Sequence, residues 1–289
     1  MNGDRLDIKA YPEVEGARLI LGFSGWMDGG GVSTGTVKYL SEQLGARPLA
    51  EIKPQGFYIY NFPGPMEISS LFRPHSEILD GIVHTYEPPA NRFRYDDVNR
   101  LILFSGKEPN LAWEAFADCL FRLGEAFRVR AVYFIGSYAG VVPHTRDPRL
   151  YASVSDPEMK SELEPHGFRF TDYEGPAHFA TYLTHAAADR GIKMATLVAE
   201  IPAYIQGTNP RCIEAVVRTL AGILAVQINT DDLRQMSDGF EAKVNEAVTE
   251  KDELAEMIRK MEAQYDSEMF ETQMGDLKDW LEERGIRLD

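Results

Sequence analysis

The chain has 289 residues, 44% of them hydrophobic and 26% charged, with a formal net charge of −15 and a pI near 4.9. That length suits one large domain with an appendage or two small ones, and the acidity argues against nucleic acid or an anionic membrane as a main partner. No apolar run reaches membrane-spanning length and no N-terminal stretch resembles a signal peptide. Cys119 and Cys212 sit in apolar helical patterns without a C-x-x-C neighbour. They read as buried free thiols, and the expected location is cytoplasmic.

Taken in order, Asp7 to Glu15 reads as a lead-in strand and turn. Leu19 to Phe23 is an apolar run suited to a buried strand, Gly25 to Gly31 is a glycine-rich turn, and Val32 to Leu44 repeats apolar residues at helical spacing. Strand, glycine loop and helix in that order open many α/β domains. Arg47 to Lys53 follows as a second strand, Phe57–Tyr60 and Ile82–Tyr86 read as meandering strands, and Arg100 to Ser105 is a buried strand. Asn110 stands where it can cap a helix over 111–127, whose Trp113, Phe116, Leu120, Leu123 and Phe127 share one face. Ala131 to Ile135 is the next strand. Asp156 with Pro157 marks a helix start. Gly175-Pro-Ala177 opens a helix to Arg190, and Met194 to Ala199 is a strand. Asn209, with Pro210 at the first position, starts a helix buried through Ile213, Val216, Val217, Leu220 and Leu224. Strands alternating with helices of this length need βαβ crossovers, hence a largely parallel sheet covered on both faces. The meander makes the expected sheet a mixed one.

Beyond residue 229 the character changes. Residues 230–289 carry 18 Asp+Glu against 8 Lys+Arg, a net −10, so residues 1–229 hold only −5. Two polar helical segments are expected, from Asp232 to Tyr265 and from Ser267 to Arg284. Their seam of Phe240, Val244, Ala247, Leu254, Met257, Ile258 and Met261 suits a helical hairpin packed on the domain or on another subunit. Packed so, Met257, Ile258, Met261, Phe270 and Trp280 are expected to be largely buried; a solvated tail is the alternative. The expected division is an α/β/α core domain over 1–229 and an acidic helical extension over 230–289.

Two stretches carry candidate chemistry. The Gly25–Gly31 loop precedes a helix N-terminus, where backbone N–H groups favour an anion and glycines allow close approach. It suits a phosphate or carboxylate cradle, or a tight turn that seats helix on sheet with Trp26 as a packing plug. It is not G-x-G-x-x-G, it lacks Gly-Lys-Ser/Thr, and Gly22-Phe-Ser24-Gly25 brings the second glycine of a nucleophile elbow one residue early. If the loop is structural, valine at Gly29 or Gly30 should lower stability while Asp28→Asn should not, because a β-branched residue at φ > 0 is strained. The second stretch lies past Ile135, at the carboxyl end of a strand, the usual ligand crevice of open α/β sheets. There His144, Thr145 and Arg146 offer an imidazole, a hydroxyl and a guanidinium. Arg146 suits a two-pronged clamp on a carboxylate or phosphate, or an internal ion pair that pins the loop. His178 and His185 share a helix face, but no third ligand stands at helical spacing and there is no H-E-x-x-H. No metal, no cofactor and no catalytic residue is assigned.

Four stretches together resemble one family. They are Gly22-Phe-Ser-Gly-Trp-Met-Asp-Gly-Gly30; Val142-Pro-His-Thr-Arg146 with Ser155-Asp-Pro-Glu158; Tyr173-Glu-Gly-Pro176, then Gly191-Ile192 with Ile201-Pro-Ala-Tyr204; and Asn209-Pro210 opening a helix followed by Ile228 to Leu233. Their order and spacing are similar to those of the proteasome assembly chaperone family of the second-chaperone type, bacterial and archaeal branch. Some bacterial members of it carry a carboxylate–amine ligase or ATP-grasp-like label. The resemblance implies a three-layer α/β/α domain related in shape to nucleoside phosphorylases, self-assembling, with no established catalytic activity. It also implies relatives that help assemble proteasome α-rings, some docking through a hydrophobic–tyrosine–any tail. This chain ends Gly285-Ile-Arg-Leu-Asp289 without that tyrosine, and it has Pro202-Ala203-Tyr204 where relatives are expected to show Pro-His-Tyr.

The function expected from these features is a non-enzymatic, assembly-chaperone-like or protein-interaction protein with an unidentified client. It is expected to be a homo-oligomer, a trimer on the resemblance alone. Ligand or interaction candidates are Trp26, Asp28, Gly29, Gly30, His144, Thr145, Arg146, Tyr204 and Asn209. The alternative is a small-molecule binder or enzyme, ligase- or phosphorylase-like, using the glycine loop and the His144-Thr145-Arg146 turn.

Overall fold

The structure, a computed structural model, describes residues 4–61, 63–70 and 72–284. In chain order its elements begin with β1 (Leu6–Ile8), β2 (Arg18–Ser24), α1 (Val32–Gln43), β3 (Arg47–Ile52), α2 (Met66–Ser70), β4 (His75–Leu79) and β5 (Ile82–Glu87). They continue with β6 (Asn91–Asp96), β7 (Leu101–Lys107), α3 (Trp113–Ala126), β8 (Ala131–Gly140), β9 (Leu150–Val154) and α4 (Glu158–Leu163). The last are β10 (Arg169–Phe170), α5 (Phe179–Ala188), β11 (Met194–Pro202), α6 (Pro210–Leu224), α7 (Asp231–Thr249) and α8 (Asp252–Glu283).

Leu19 to Phe23 is buried along its whole length because β2 is the middle strand of a nine-stranded sheet, ordered β1-β3-β6-β7-β2-β8-β11-β9-β10. The four central strands, β7, β2, β8 and β11, run parallel. Antiparallel pairings flank them, β6 on β7 and β9 on β11. The fold is therefore the mixed, largely parallel α/β architecture that the sequence leads one to expect.

Alternation along β2 builds the two outer layers. Leu19, Leu21 and Phe23 face one core, with α3 and α5. The Phe23 ring stacks on Phe134 at 5.4 Å and meets Phe179 edge-on at 5.5 Å. Ile20 faces the other core, with Val37 and Leu40 of α1 and Ile213 and Val217 of α6. Each such fully buried side chain contributes about 1.5–3 kcal/mol. Gly22 lets α1 lie close on the sheet, since a Cβ there would come within 2.6 Å of Val37 Cγ2 and 2.8 Å of Ser33 O. Ser33, buried on α1, ties strand to helix: its Oγ accepts from Phe23 N at 3.0 Å and donates to Ile135 O.

Several local expectations change. Phe57–Tyr60 is coil rather than strand. The Phe57 ring packs on Phe116 at 4.9 Å, and its carbonyl accepts from Asn110 N and Leu111 N. Asn110 consequently does not cap the next helix; its Oδ1 accepts from Ile59 N at 3.2 Å, and Ala112, at φ 53, precedes α3 instead. The helix expected from Gly175 begins at Phe179, where the His178 ring accepts from Thr181 N at 3.3 Å.

In the C-terminal helices the break falls at Glu250-Lys251, not at Asp266, so α8 is one helix through Asp266 and Ser267. Of the seam residues Ile258 is buried, as is Val248 next to the seam residue Ala247. Met257 and Phe270, expected inside, are 40% and 64% exposed, because α8 crosses the domain on its ion-pairing side rather than on a full apolar stripe. The side chain of Trp280 lies outside the described residues, as does the chain end at 285–289.

Candidate functional site at the carboxyl end of the parallel strands

The parallel strands all end on one side, at Ser24, Lys107, Gly140 and Pro202. The loops that leave there contain every candidate residue. After β2, Trp26 N donates to Glu108 Oε2 at 3.0 Å, and burial pushes the Glu108 carboxyl above the ordinary range. Met27 O accepts from Ser137 N at 2.9 Å, which extends the β2–β8 pairing into the loop. The Asp28 carboxylate then caps α1, accepting from Thr34 N at 3.0 Å and from Thr34 Oγ1 at 2.7 Å. Burial raises the Asp28 pKa, and the bonds from Thr34 pull it back.

Gly30 (φ 62) and Gly31 (φ 62) are left-handed, while Gly29 is not. Gly29 is a space requirement instead: a Cβ there would stand 3.0 Å from Ile201 Cδ1. Gly30 O accepts from Asn209 N at 2.8 Å, and Asn209 Oδ1 caps α6 by accepting from Cys212 N at 3.1 Å. The loop is thus packed against β8, β11 and α6. Trp26 is no packing plug; it is 81% exposed, and it follows Gly25, whose φ of 140 is a conformation that favours glycine.

The second loop joins β8 to β9. His144 is buried, with its Nδ1 2.7 Å from Tyr204 Oη and its Nε2 3.0 Å from Asn245 Oδ1 on α7. Tyr204 Oη also accepts from His144 N at 2.8 Å. Burial pushes the Tyr204 hydroxyl up to about 12. Thr145 Oγ1 donates to Glu262 on α8. Arg146 grips Asp266 with Nε and a terminal nitrogen, both at 2.8 Å.

Four residues to which sequence reasoning gave no role complete this region. Arg149 and Glu200 are both buried and stand 3.2 Å apart. Arg149 also reaches Glu268 at 2.8 Å and lies 4.9 Å over the Tyr265 ring. Glu200 is a charged residue at the end of an apolar strand, a signal visible in the sequence. Its arginine partner lies 51 positions away, which no local pattern marks.

Chemically, the crevice position is filled by the protein itself. The imidazole, the guanidinium and the Asp28 carboxylate each have internal partners. Among the described residues no three His, Cys, Asp or Glu side chains come together as a metal site. Burial pushes the Cys212 thiol up to about 12, which suppresses the thiolate needed for nucleophilic work. The open rim at this end includes four exposed apolar side chains: Trp26 at 81%, with Leu111, Tyr138 and Val141.

The model of the PAC2 family matches residues 22–248. The chain belongs to the PAC2 family. Similar solved structures include a Mycobacterium tuberculosis proteasome-assembly chaperone homologue, 26% identical, covering 83% of this chain and 99% of that one at a TM-score of 0.73. A PAC2 family protein from Streptomyces avermitilis is 23% identical over 83% of this chain and 99% of that one, with a TM-score of 0.72. An archaeal proteasome activator from Pyrococcus furiosus, PbaB, is 20% identical over 84% and 97%, with a TM-score of 0.62. No curated protein matches the sequence. The PAC2 match runs from Gly22, in the strand before the glycine loop, to Val248 near the end of α7, so it takes in both candidate loops.

Proposed function

We propose that this PAC2 chain is a non-enzymatic, assembly-chaperone-like protein that binds other protein chains with the rim around Trp26. The observation that carries this reading is the contrast at one end of the sheet. The crevice position is closed by internal partners of Asp28, His144 and Arg146, while Trp26 stands 81% exposed beside it. Exposed aromatic anchors on a rigid frame suit a protein interface. The client class proposed is proteasome subunits, a reading supported by similar structures named as a proteasome-assembly chaperone homologue and an archaeal proteasome activator. The protein is read as self-assembling and cytoplasmic; among the described residues no helix is long and apolar enough to cross a membrane. At a net charge of −15, nucleic acid is not proposed as a partner.

The test mixes the purified protein with proteasome subunits of its own organism, by sizing with light scattering. The wild type should form a complex, and Trp26→Ala should abolish it without changing the thermal midpoint. No complex with the wild type sinks the reading. So does reproducible turnover of a nucleotide or phosphate substrate that a glycine-loop variant loses.

A further inference from the structure

Glu108, the first residue past β7, holds two other segments of the chain at once. Its own N–H donates to Ser24 O at 2.9 Å, which continues the β2–β7 pairing past the end of the strands. Its carboxylate accepts from Trp26 N at 3.0 Å and from Phe179 N, the first N–H of α5. The two donors differ in kind. Phe179 is fully buried, its ring centroid 5.5 Å from those of both Phe23 and Trp113, so that end of the tether is fixed in the core. Trp26 belongs to an open turn and its side chain faces solvent. One carboxylate thus ties the backbone of the exposed aromatic anchor to a core residue. Gly25 lets the turn lie against it: a Cβ at Gly25 would stand 2.9 Å from Glu108 Cβ.

The tether carries a charge that no cation balances. Burial raises the Glu108 pKa, and the bonds from Trp26 and Phe179 pull it back. No charged side chain contributes to that displacement, Lys107 next to it and Glu114 on α3 included. The titratable groups of the other two segments are turned to partners of their own. Asp28 accepts from Thr34, and the His178 ring accepts from Thr181 N. Glu108 is half-buried, so part of it can still be covered. Covering a carboxylate strips water from its charged form and favours the neutral one. The neutral carboxyl keeps a carbonyl oxygen that can accept from Trp26 N, so a proton does not undo the tether.

We propose that Glu108 is the positioning residue of the Trp26 surface and makes docking there proton-linked: a partner that covers Trp26 also covers Glu108 and binds tighter when that carboxyl is neutral. This rests on the proposed function and adds its regulation. Holding the Trp26 backbone before the partner arrives lowers the ordering cost of docking. The linkage is reciprocal. If docking strengthens the hold of Glu108 on its proton, the proton strengthens docking by the same factor. The complex therefore tightens as pH falls and weakens to a constant affinity where Glu108 stays ionised in both the free and the docked protein.

The experiment measures the affinity of the full chain for proteasome subunits of its own organism, from about pH 8 down to about pH 5.5. Wild type, Glu108→Gln and Glu108→Ala are compared, and hydrogen exchange of the Trp26 amide is followed in each free protein. The wild type should bind at least about fivefold tighter at the acid end, the lower bound of an ordinary coupling. Glu108→Gln, a permanently neutral analogue, should bind tighter than the wild type at the alkaline end and show a flatter pH profile. Glu108→Ala should bind more weakly at every pH, and its Trp26 amide should exchange faster. A merely structural Glu108 would leave Glu108→Gln no tighter than the wild type at any pH, and that result overturns the inference. Titrations of the client itself are common to all three proteins, so equal pH slopes in the wild type and Glu108→Gln also overturn it, with docking at Trp26 left standing. Unchanged Trp26 exchange in Glu108→Ala overturns the positioning role. No complex at any pH overturns the proposed function and this inference together.

Discussion

Arg146 of the β8–β9 loop holds both carboxylate oxygens of Asp266 on α8, at 2.8 Å each. The loop that resembles an anion clamp is thus already closed on an anion from its own chain. Arginines of the preceding domain hold three acids of the extension: Arg146 meets Asp266, Arg149 and Arg169 meet Glu268, and Arg211 meets Glu241.

The first prediction concerns the hold of α8. The Arg146 guanidinium keeps the Asp266 carboxyl below its ordinary value of 3.8. A lowered folded pKa means the contribution is complete above 3.8 and is lost as pH falls below it, through the lowered value. Hydrogen exchange over 255–270 should therefore rise in Arg146→Ala at neutral pH and in the wild type on acidification below about pH 4. It should also rise with salt, which screens an exposed pair. Exchange in α8 that ignores all three changes contradicts this.

A larger effect is expected at the buried pair. Glu200→Gln still offers an oxygen to Val141 N, now 2.9 Å from Glu200 Oε1, but removes the buried one of the two counter-charges of Arg149 and leaves only Glu268, at 2.8 Å. Breaking a buried pair outright costs about 3–5 kcal/mol, and the remaining contact with Glu268 keeps the cost below that. Arg149→Met combined with Glu200→Gln should cost clearly less than the sum of the two single changes. Urea unfolding of the four proteins measures the coupling, and simple additivity would refute it.

The glycine loop separates three effects. Gly30→Val must place a β-branched residue at φ 62, which costs about 1–3 kcal/mol. Gly29→Ala faces only the 3.0 Å approach of Ile201 Cδ1, so it should cost less than Gly30→Val. Asp28→Ala removes the acceptor for Thr34 N, worth about 0.5–2 kcal/mol. Asp28→Asn keeps that acceptor and sheds a charge that burial disfavours, so its midpoint should stay close to the wild type. Because burial raises the folded pKa of Asp28, its protonation favours the folded state below the ordinary 3.8 and that gain disappears as pH rises through the raised value. Thermal midpoints of the four variants decide the order.

The thiols give the simplest test. Cys119 and Cys212 are buried and free, and burial raises both pKa values. Neither should be alkylated by iodoacetamide at pH 8 in the folded protein, and both should react in denaturant. Rapid modification of Cys212 in the native state would contradict the packing of α6.

The sequence announces what depends on near neighbours. Asn209-Pro210 starts α6 as its cap pattern requires, and the apolar runs become the central strands. It is silent where long-range partners decide. Asn110 has the right chemistry for a cap, yet Ile59 N claims it from 51 positions away. His144, Thr145 and Arg146 present a ligand pattern, but Asn245, Glu262 and Asp266 satisfy them from helices about a hundred residues on. The helix break at Glu250-Lys251 has no glycine or proline to mark it, which is why α8 runs through Asp266 unannounced. Trp26 is aromatic and suggests a buried plug, yet it is 81% exposed, and no local pattern in the sequence marks that.

The two margins of the main sheet are very short, three residues in β1 and two in β10. Margins that short offer little template for an added strand, so the domain resists edge-to-edge polymerisation by its main sheet. The separate hairpin of β4 and β5 is the opposite case. β4 and β5, with five and six residues, each keep one flank of unpaired backbone beside exposed isoleucine and valine. Any tendency of concentrated protein to form insoluble β-rich aggregates should therefore start at that hairpin. A single lysine at Val83, a gatekeeping charge, should lengthen its storage life more than any change at the margins of the domain.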